Sequence, residues 1–124
     1  MRKLIILVVD DEPSIAEILQ MTFAKAGHEA VTALNGDDAL SWLKRNRADL
    51  VITDWDMPVM NGLDLIREGR KVSSAAYWIW TGRPSIEREG EAMAAGASHF
   101  FIKPTRSQIL LDLMASDFAE PVAA

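Results

Sequence analysis

Two hydrophobic rhythms alternate along the chain. Residues 4–9 form a continuous apolar run of strand length. Such a run suits a strand buried on both faces, as in a parallel sheet. Ile15, Ile18, Leu19, Thr22 and Phe23 then recur at helical spacing and make one stripe, with Gly27 placed to end the helix. The pattern repeats. Residues 30–33 predict a second, weaker strand, and Asn35 or Gly36 can cap a short helix carrying Ala39, Leu40, Trp42 and Leu43. Asp37 and Asp38 fall where the helix dipole favours acids. Residues 50–53 predict a third strand, 63–70 a helix, 76–80 a fourth strand, 84–95 a helix with Pro84 near its start, and 99–102 a fifth strand. A last helix is expected over 105–118, with Thr105 and Gln108 matching a capping box. Five βα units in succession predict a parallel sheet with helices on both faces, in one domain over 1–120 with a short tail at 121–124.

Composition narrows the function. The chain has 124 residues, 49% hydrophobic and 25% charged, with a net charge of −5. That balance gives no electrostatic reason to expect direct contact with nucleic acid or an anionic membrane. With no cysteine, thiolate catalysis, thiolate metal sites and disulfides are excluded, and two histidines are too few for a histidine-rich metal site. Arg2 and Lys3 precede an apolar run that meets Asp10, Asp11 and Glu12 too soon for a signal peptide. No stretch is long enough to span a bilayer, so a cytoplasmic location is expected.

In open α/β sheets the chemistry gathers beyond the carboxyl ends of the strands. After the first predicted strand come Asp10 and Asp11, after the third Asp54 and Asp56, after the fourth Thr81 and Gly82, and after the fifth Lys103 and Pro104. Brought together, Asp10, Asp11 and Asp54 repel one another unless a cation intervenes. Oxygen-only donors select a hard cation such as Mg2+. A carboxylate, a metal, a lysine and a hydroxyl are the parts of phosphoryl transfer, with Asp54 as the nucleophile. Asp56 and Arg83 lie two residues past Asp54 and Thr81, where their side chains can overhang the phosphoryl group and tune its lifetime, and Gly82 leaves the entrance open. Read singly, Asp10 and Asp11 serve equally well as a loop start, Lys103 as a solvated lysine and Phe100 as a core residue.

Taken in order, VVDDEP at 8–13, DWDMPVMNG at 54–62, WTG at 80–82 and GASHFFIKP at 96–104 resemble the receiver domain of two-component response regulators, in particular the chemotaxis-type single-domain regulator. The resemblance covers essentially the whole chain. It implies a flavodoxin-like (βα)5 three-layer sandwich with strand order 2-1-3-4-5. It implies that Asp54 takes a phosphoryl group from a phosphohistidine on a sensor histidine kinase or histidine phosphotransfer protein. Mg2+, replaceable by Mn2+, would be bound by Asp11, Asp54 and the backbone carbonyl of Asp56, with Asp10 acting through water. Lys103 would pair with the phosphoryl group, Thr81 would turn inward to bond it, Phe100 would be the switching aromatic, and the bond before Pro104 would be cis. Output would pass to a downstream protein or a second copy through the face made by the fourth helix, fifth strand and last helix. No catalysis beyond self-phosphorylation and autodephosphorylation of Asp54 is implied.

Two features depart from the family pattern. The span from Asp54 to Thr81 is short by roughly one helical turn, which points to a shortened third helix. The fourth strand, AYWIW, is unusually aromatic. Alternation puts Trp78 and Trp80 on one face and Tyr77, Ile79 and Thr81 on the other, and the two indoles are expected to fill the volume left by the short helix. Two other functions fit parts of the pattern. Asp54 and Asp56 match the Asp-x-Asp of haloacid-dehalogenase-like phosphatases, although those enzymes need a longer chain and a late second acidic pair. A degenerate receiver used only for docking would not need the full set of Asp10, Asp11, Asp54, Thr81 and Lys103.

Overall fold

The computed structural model describes residues 2–120, so the tail at 121–124 lies outside the described residues. Five strands and five helices alternate: β1 (Ile5–Val9), α1 (Pro13–Lys25), β2 (Glu29–Ala33), α2 (Gly36–Arg45), β3 (Leu50–Asp54), α3 (Gly62–Gly69), β4 (Ala76–Thr81), α4 (Ile86–Ala95), β5 (His99–Ile102) and α5 (Ser107–Asp117). The sheet is wholly parallel, in the order β2-β1-β3-β4-β5. This is the expected flavodoxin-like topology. The continuous apolar runs are explained by burial on both sides: every residue of β3 is buried, and so are four of the five in β1.

Two apolar layers sandwich the sheet. On one face Leu7, Val51, Tyr77 and Ile79 pack with Ala39 and Leu43 of α2, Leu63, Leu65 and Ile66 of α3, and Ala92 and Ala95 of α4. On the other, Ile6, Val8, Ile52, Trp78 and Trp80 pack with Ala16, Leu19 and Phe23 of α1 and Leu110 and Met114 of α5. The alternation read from AYWIW is therefore correct, but the role given to the indoles is not. Trp78 and Trp80 lie across the sheet from α3 and fill space beneath α1 and α5. The residue that abuts the short α3 is Tyr77, whose phenol lies so close to Gly69 that a methyl group there would collide with it.

Local signals set most helix ends. Asn35 caps α2 by accepting the Asp38 N–H at 2.7 Å, and Asn61 caps α3 by accepting the Asp64 N–H at 2.8 Å. Two starts differ from expectation. Ser85 caps α4, accepting the Arg88 N–H at 3.0 Å, so the helix begins after Pro84 and not at it. The Thr105–Gln108 capping box does not form. The Thr105 hydroxyl donates to the Ile102 carbonyl at 2.7 Å and Gln108 turns to Asp112, so α5 starts at Ser107.

Register aligns the strand ends. Val9 pairs with Thr53, Asp54 with Trp80, and Thr81 with Ile102. Asp10, Asp54, Thr81 and Lys103 thus leave the sheet along one edge.

Candidate functional site

Asp54 is the last residue of β3, the central strand, and is only 4% exposed. The loop after it folds back tightly. The Gly62 N–H donates to the Trp55 carbonyl at 2.9 Å, and any side chain at Gly62 would strike the Asp54 carbonyl. A glycine at this point lets the backbone of α3 pin the end of the strand.

Around Asp54 the expected groups converge. Carboxylate oxygens of Asp10, Asp11 and Asp54 lie within 4.8 Å of one another. Asp10 is fully buried and its Oδ1 accepts the Glu12 N–H at 2.9 Å, whereas Asp11 is exposed at the rim. Lys103 Nζ reaches in from the end of β5, 3.0 Å from Asp10 Oδ2 and 3.2 Å from Asp54 Oδ1. It also lies 4.8 Å from the ring centroid of Trp80, a cation–π contact. The Lys103–Pro104 peptide is cis. A polar cleft bounded by Asp11, Glu12, Asp54, Asp56, Gly82, Arg83 and Lys103 opens from this cluster to solvent.

The electrostatics are unbalanced. Burial pushes the Asp54 carboxyl up to about 6, the Asp10 charge pushes the same way, and Lys103 only partly opposes them. For Lys103, burial works against the charge, but the bond to Asp10 and the charges of Asp10 and Asp54 hold the ammonium above its usual value. Three carboxylates facing one ammonium leave room for further positive charge. Their all-oxygen chemistry fits a hard divalent cation.

Thr81, at the end of β4, is fully buried. Its hydroxyl accepts the Arg83 N–H at 2.9 Å and faces Asp56 Oδ2 at 3.3 Å. Phe100 is half-buried and meets Trp55 edge-on, with 6.4 Å between ring centroids. The cation paired with Asp56 is Arg88, not Arg83. The Arg88 guanidinium bonds both Asp56 oxygens and draws the carboxyl below its ordinary range, burial notwithstanding.

Sequence reasoning missed Arg88, Trp55 and the placement of Trp80. For Arg88 a signal existed. An arginine in the first turn of α4 stands at the positive end of the helix dipole, where a cation is unfavourable unless an anion faces it. Asp56 is that anion. Trp80 also floors an apolar groove formed with Ile15, Ile18, Leu19 and Pro104 beside Lys103. The haloacid-dehalogenase alternative finds no support. Its second aspartate would stand free to act as acid and base, whereas Asp56 is paired with Arg88 at 2.8 Å.

Comparison with known proteins agrees with this geometry. Residues 6–115 match the family model described as the response regulator receiver domain. A response regulator protein of Pseudomonas aeruginosa, FleR, is 35% identical over 113 residues, covering 89% of this chain and 24% of that protein. A probable transcriptional regulator of Porphyridium aerugineum is 34% identical over 104 residues, covering 84% of this chain and 43% of that one. The chain thus spans a quarter to a half of the length of these curated relatives. Among solved structures, the chemotaxis protein CheY4 of Vibrio cholerae superposes with a TM-score of 0.85 at 31% identity, over 93% of this chain and 98% of the other. With the family model spanning the sheet from β1 into α5, this chain belongs to the response regulator receiver domain family.

Proposed function

We propose that this chain is a phosphorylation switch in which Asp54 accepts a phosphoryl group from a phosphohistidine on a sensor histidine kinase or a histidine phosphotransfer protein. The observation that carries the reading is the buried Asp54 carboxylate, 3.2 Å from Lys103 and gathered with Asp10 and Asp11 at the mouth of a polar cleft. In the transfer an Asp54 oxygen attacks phosphorus, the P–N bond breaks, and its electron pair leaves on the imidazole nitrogen. Asp11, Asp54 and the Asp56 carbonyl would hold Mg2+, or Mn2+ in its place, with Asp10 acting through water. The ion supplies charge neutralisation for the incoming phosphoryl oxygens. Lys103 pairs with one of those oxygens, and the Thr81 hydroxyl turns to donate to another. Asp56 and Arg83, at the cleft wall, tune access of water to the acyl phosphate, and Gly82 keeps the entrance clear.

Phe100 is the readout on this reading. It lies beside Thr81's strand, half-buried, and moves deeper when the Thr81 hydroxyl turns inward. The face built by α4, β5 and α5 changes with it, and Ile102 and Ile109 stand exposed there for a downstream protein or a second copy of the chain. The setting is cytoplasmic, without direct contact to nucleic acid or membrane. Among the described residues no helix is long and apolar enough to cross a bilayer.

Incubation with acetyl phosphate and Mg2+, followed by intact and peptide mass spectrometry, tests the proposal. One hydroxylamine-labile phosphate is expected on Asp54, absent without divalent metal and absent in Asp54→Asn. A labile phosphate that persists in Asp54→Asn overturns the assignment.

A further inference from the structure

One guanidinium holds both the Thr81 hydroxyl and the Asp56 carboxylate. Arg88 Nη1 donates to Asp56 Oδ2 at 2.9 Å and to Thr81 Oγ1 at 2.9 Å, while Nη2 donates to Asp56 Oδ1 at 2.8 Å. Its carbon lies 4.6 Å from the ring centroid of Trp55, the residue after Asp54. The backbone of Arg88 is fixed as well, because its N–H is the one that Ser85 caps. Unlike the exposed Arg83, the Arg88 side chain is only 24% exposed.

These bonds use up the Thr81 hydroxyl. A hydroxyl has one proton to give and two lone pairs to share. Here the Arg83 N–H and Arg88 Nη1 occupy the acceptor side, and the proton is directed at Asp56 Oδ2. Thr81 has no donor to offer a phosphoryl oxygen until it leaves Asp56, and Asp56 is gripped from both oxygens by Arg88. The three residues belong to three elements: Asp56 to the loop after β3, Thr81 to the end of β4 and Arg88 to the first turn of α4.

We propose that Arg88 is a positioning residue that latches the unphosphorylated state. It holds Thr81 and Asp56 in an arrangement incompatible with a phosphoryl group on Asp54, and occupancy of Asp54 releases it together with the first turn of α4. The proposal rests on the reading that Asp54 is the phosphoacceptor. The release has a physical cause. Phosphorylation turns the single charge of the Asp54 carboxylate into the nearly two of an acyl phosphate and carries it outward, where it repels the Asp56 carboxylate and competes for the Thr81 proton. Once Thr81 and Asp56 part, the guanidinium no longer has its shared fork of acceptors, and α4 loses the tie that fixed its start to the site.

The test uses the whole chain and beryllofluoride with Mg2+ as a stable phosphoryl mimic, titrated by tryptophan emission, since Trp55 and Trp80 flank the site. Breaking the latch in Arg88→Ala is expected to shift the midpoint to about tenfold tighter binding. Arg88→Lys, which keeps the charge but not the fork, is expected to fall between wild type and Arg88→Ala. Asp56→Ala and Arg88→Ala together are expected to shift the midpoint by less than the product of the single effects. In wild type, amides of residues 86–89 are expected to exchange faster when beryllofluoride is bound. That measurement stands even if Arg88→Ala fails to fold. An unchanged or weaker midpoint in Arg88→Ala overturns the latch, and a weaker one makes Arg88 a ligand of the phosphoryl group instead. Unchanged or slower exchange at 86–89 also overturns it. Failure of the underlying reading is separate: wild type would then take no phosphate on Asp54 from acetyl phosphate.

Discussion

Two aspartates bracket β3, and the protein treats them in opposite ways. Asp49 precedes the strand and Asp54 ends it, five residues apart and both nearly buried, at 8% and 4% exposure. Asp49 is fully answered. Its Oδ2 accepts the Ile5 N–H at 2.8 Å, and its Oδ1 takes Arg47 at 2.7 Å and Arg2 at 3.2 Å. Burial raises its carboxyl, but the Ile5 amide, Arg2 and Arg47 outweigh burial and leave it below the ordinary range. Among the described residues Asp54 is paired with one cation, Lys103, which it shares with Asp10, and its carboxyl rises to about 6. One end of the sheet spends its charges on holding β1 to β3. The other keeps an acid short of partners, which is the condition for binding a cation and attacking an electrophile.

Removing the answered acid is expected to cost the most stability. Asp49→Ala strands the Ile5 N–H at the start of β1, while the half-exposed Arg2 and exposed Arg47 can rehydrate. A loss of about 2–3 kcal/mol is expected in urea unfolding, and Asp49→Asn, which keeps an acceptor for Ile5, should lose less. The pH dependence has a definite sign. A folded pKa below the unfolded 3.8 means that the stabilisation is complete above that value and is lost as pH falls through the lower folded one. Wild type should therefore weaken below pH 3.8 more steeply than Asp49→Asn. Equal acid profiles would show that Asp49 is not held by its partners.

The opposite substitution should stabilise. Because the folded carboxyl of Asp54 lies above the 3.8 of the free group, its ionised form lowers stability at neutral pH. Asp54→Asn is expected to gain ~1–3 kcal/mol without divalent metal. Adding Mg2+ should raise the stability of wild type by mass action and leave Asp54→Asn nearly unmoved. A destabilised Asp54→Asn would mean that the site is not electrostatically strained.

The contrast between the ends explains what could be read from the residues alone. Acids and a lysine at strand ends were legible because topology carries every such residue to one edge. So was the sheet itself, because strands buried on both faces leave uninterrupted apolar runs. Arg88 carried only a local signal, a cation at the positive end of a helix, and that Asp56 answers it was not legible, since Asp56 lies 32 positions away and on another element. Alternation divided Tyr77 and Ile79 from Trp78 and Trp80, but period two does not say which set faces α3. That parity depends on how the strand is rotated in the sheet. Thr105 and Ser85 are both plausible helix caps by type. Only the Ile102 carbonyl, within reach of Thr105, decides that one hydroxyl caps and the other does not.

The backbone repeats the contrast at smaller scale. Where chains turn back into strands at the amino end, the left-handed positions are glycines, Gly27 at φ 94° and Gly96 at φ 115°. In the loop after Asp54, Val59 adopts φ 70°. A β-branched side chain is a poor occupant of that region, because its Cβ crowds the backbone. Val59 is 90% exposed, so no buried contact compensates the strain. Val59→Gly should relieve it, offset in part by the greater freedom of glycine in the unfolded chain, for a net gain of about 0.5–1 kcal/mol. Thermal or urea unfolding in the absence of metal measures it. Asp54→Asn and Val59→Gly act through different causes, charge and backbone, so their gains are expected to add. A loss on Val59→Gly would mean that the valine side chain itself supports the loop. The strain at the site end would then be electrostatic alone.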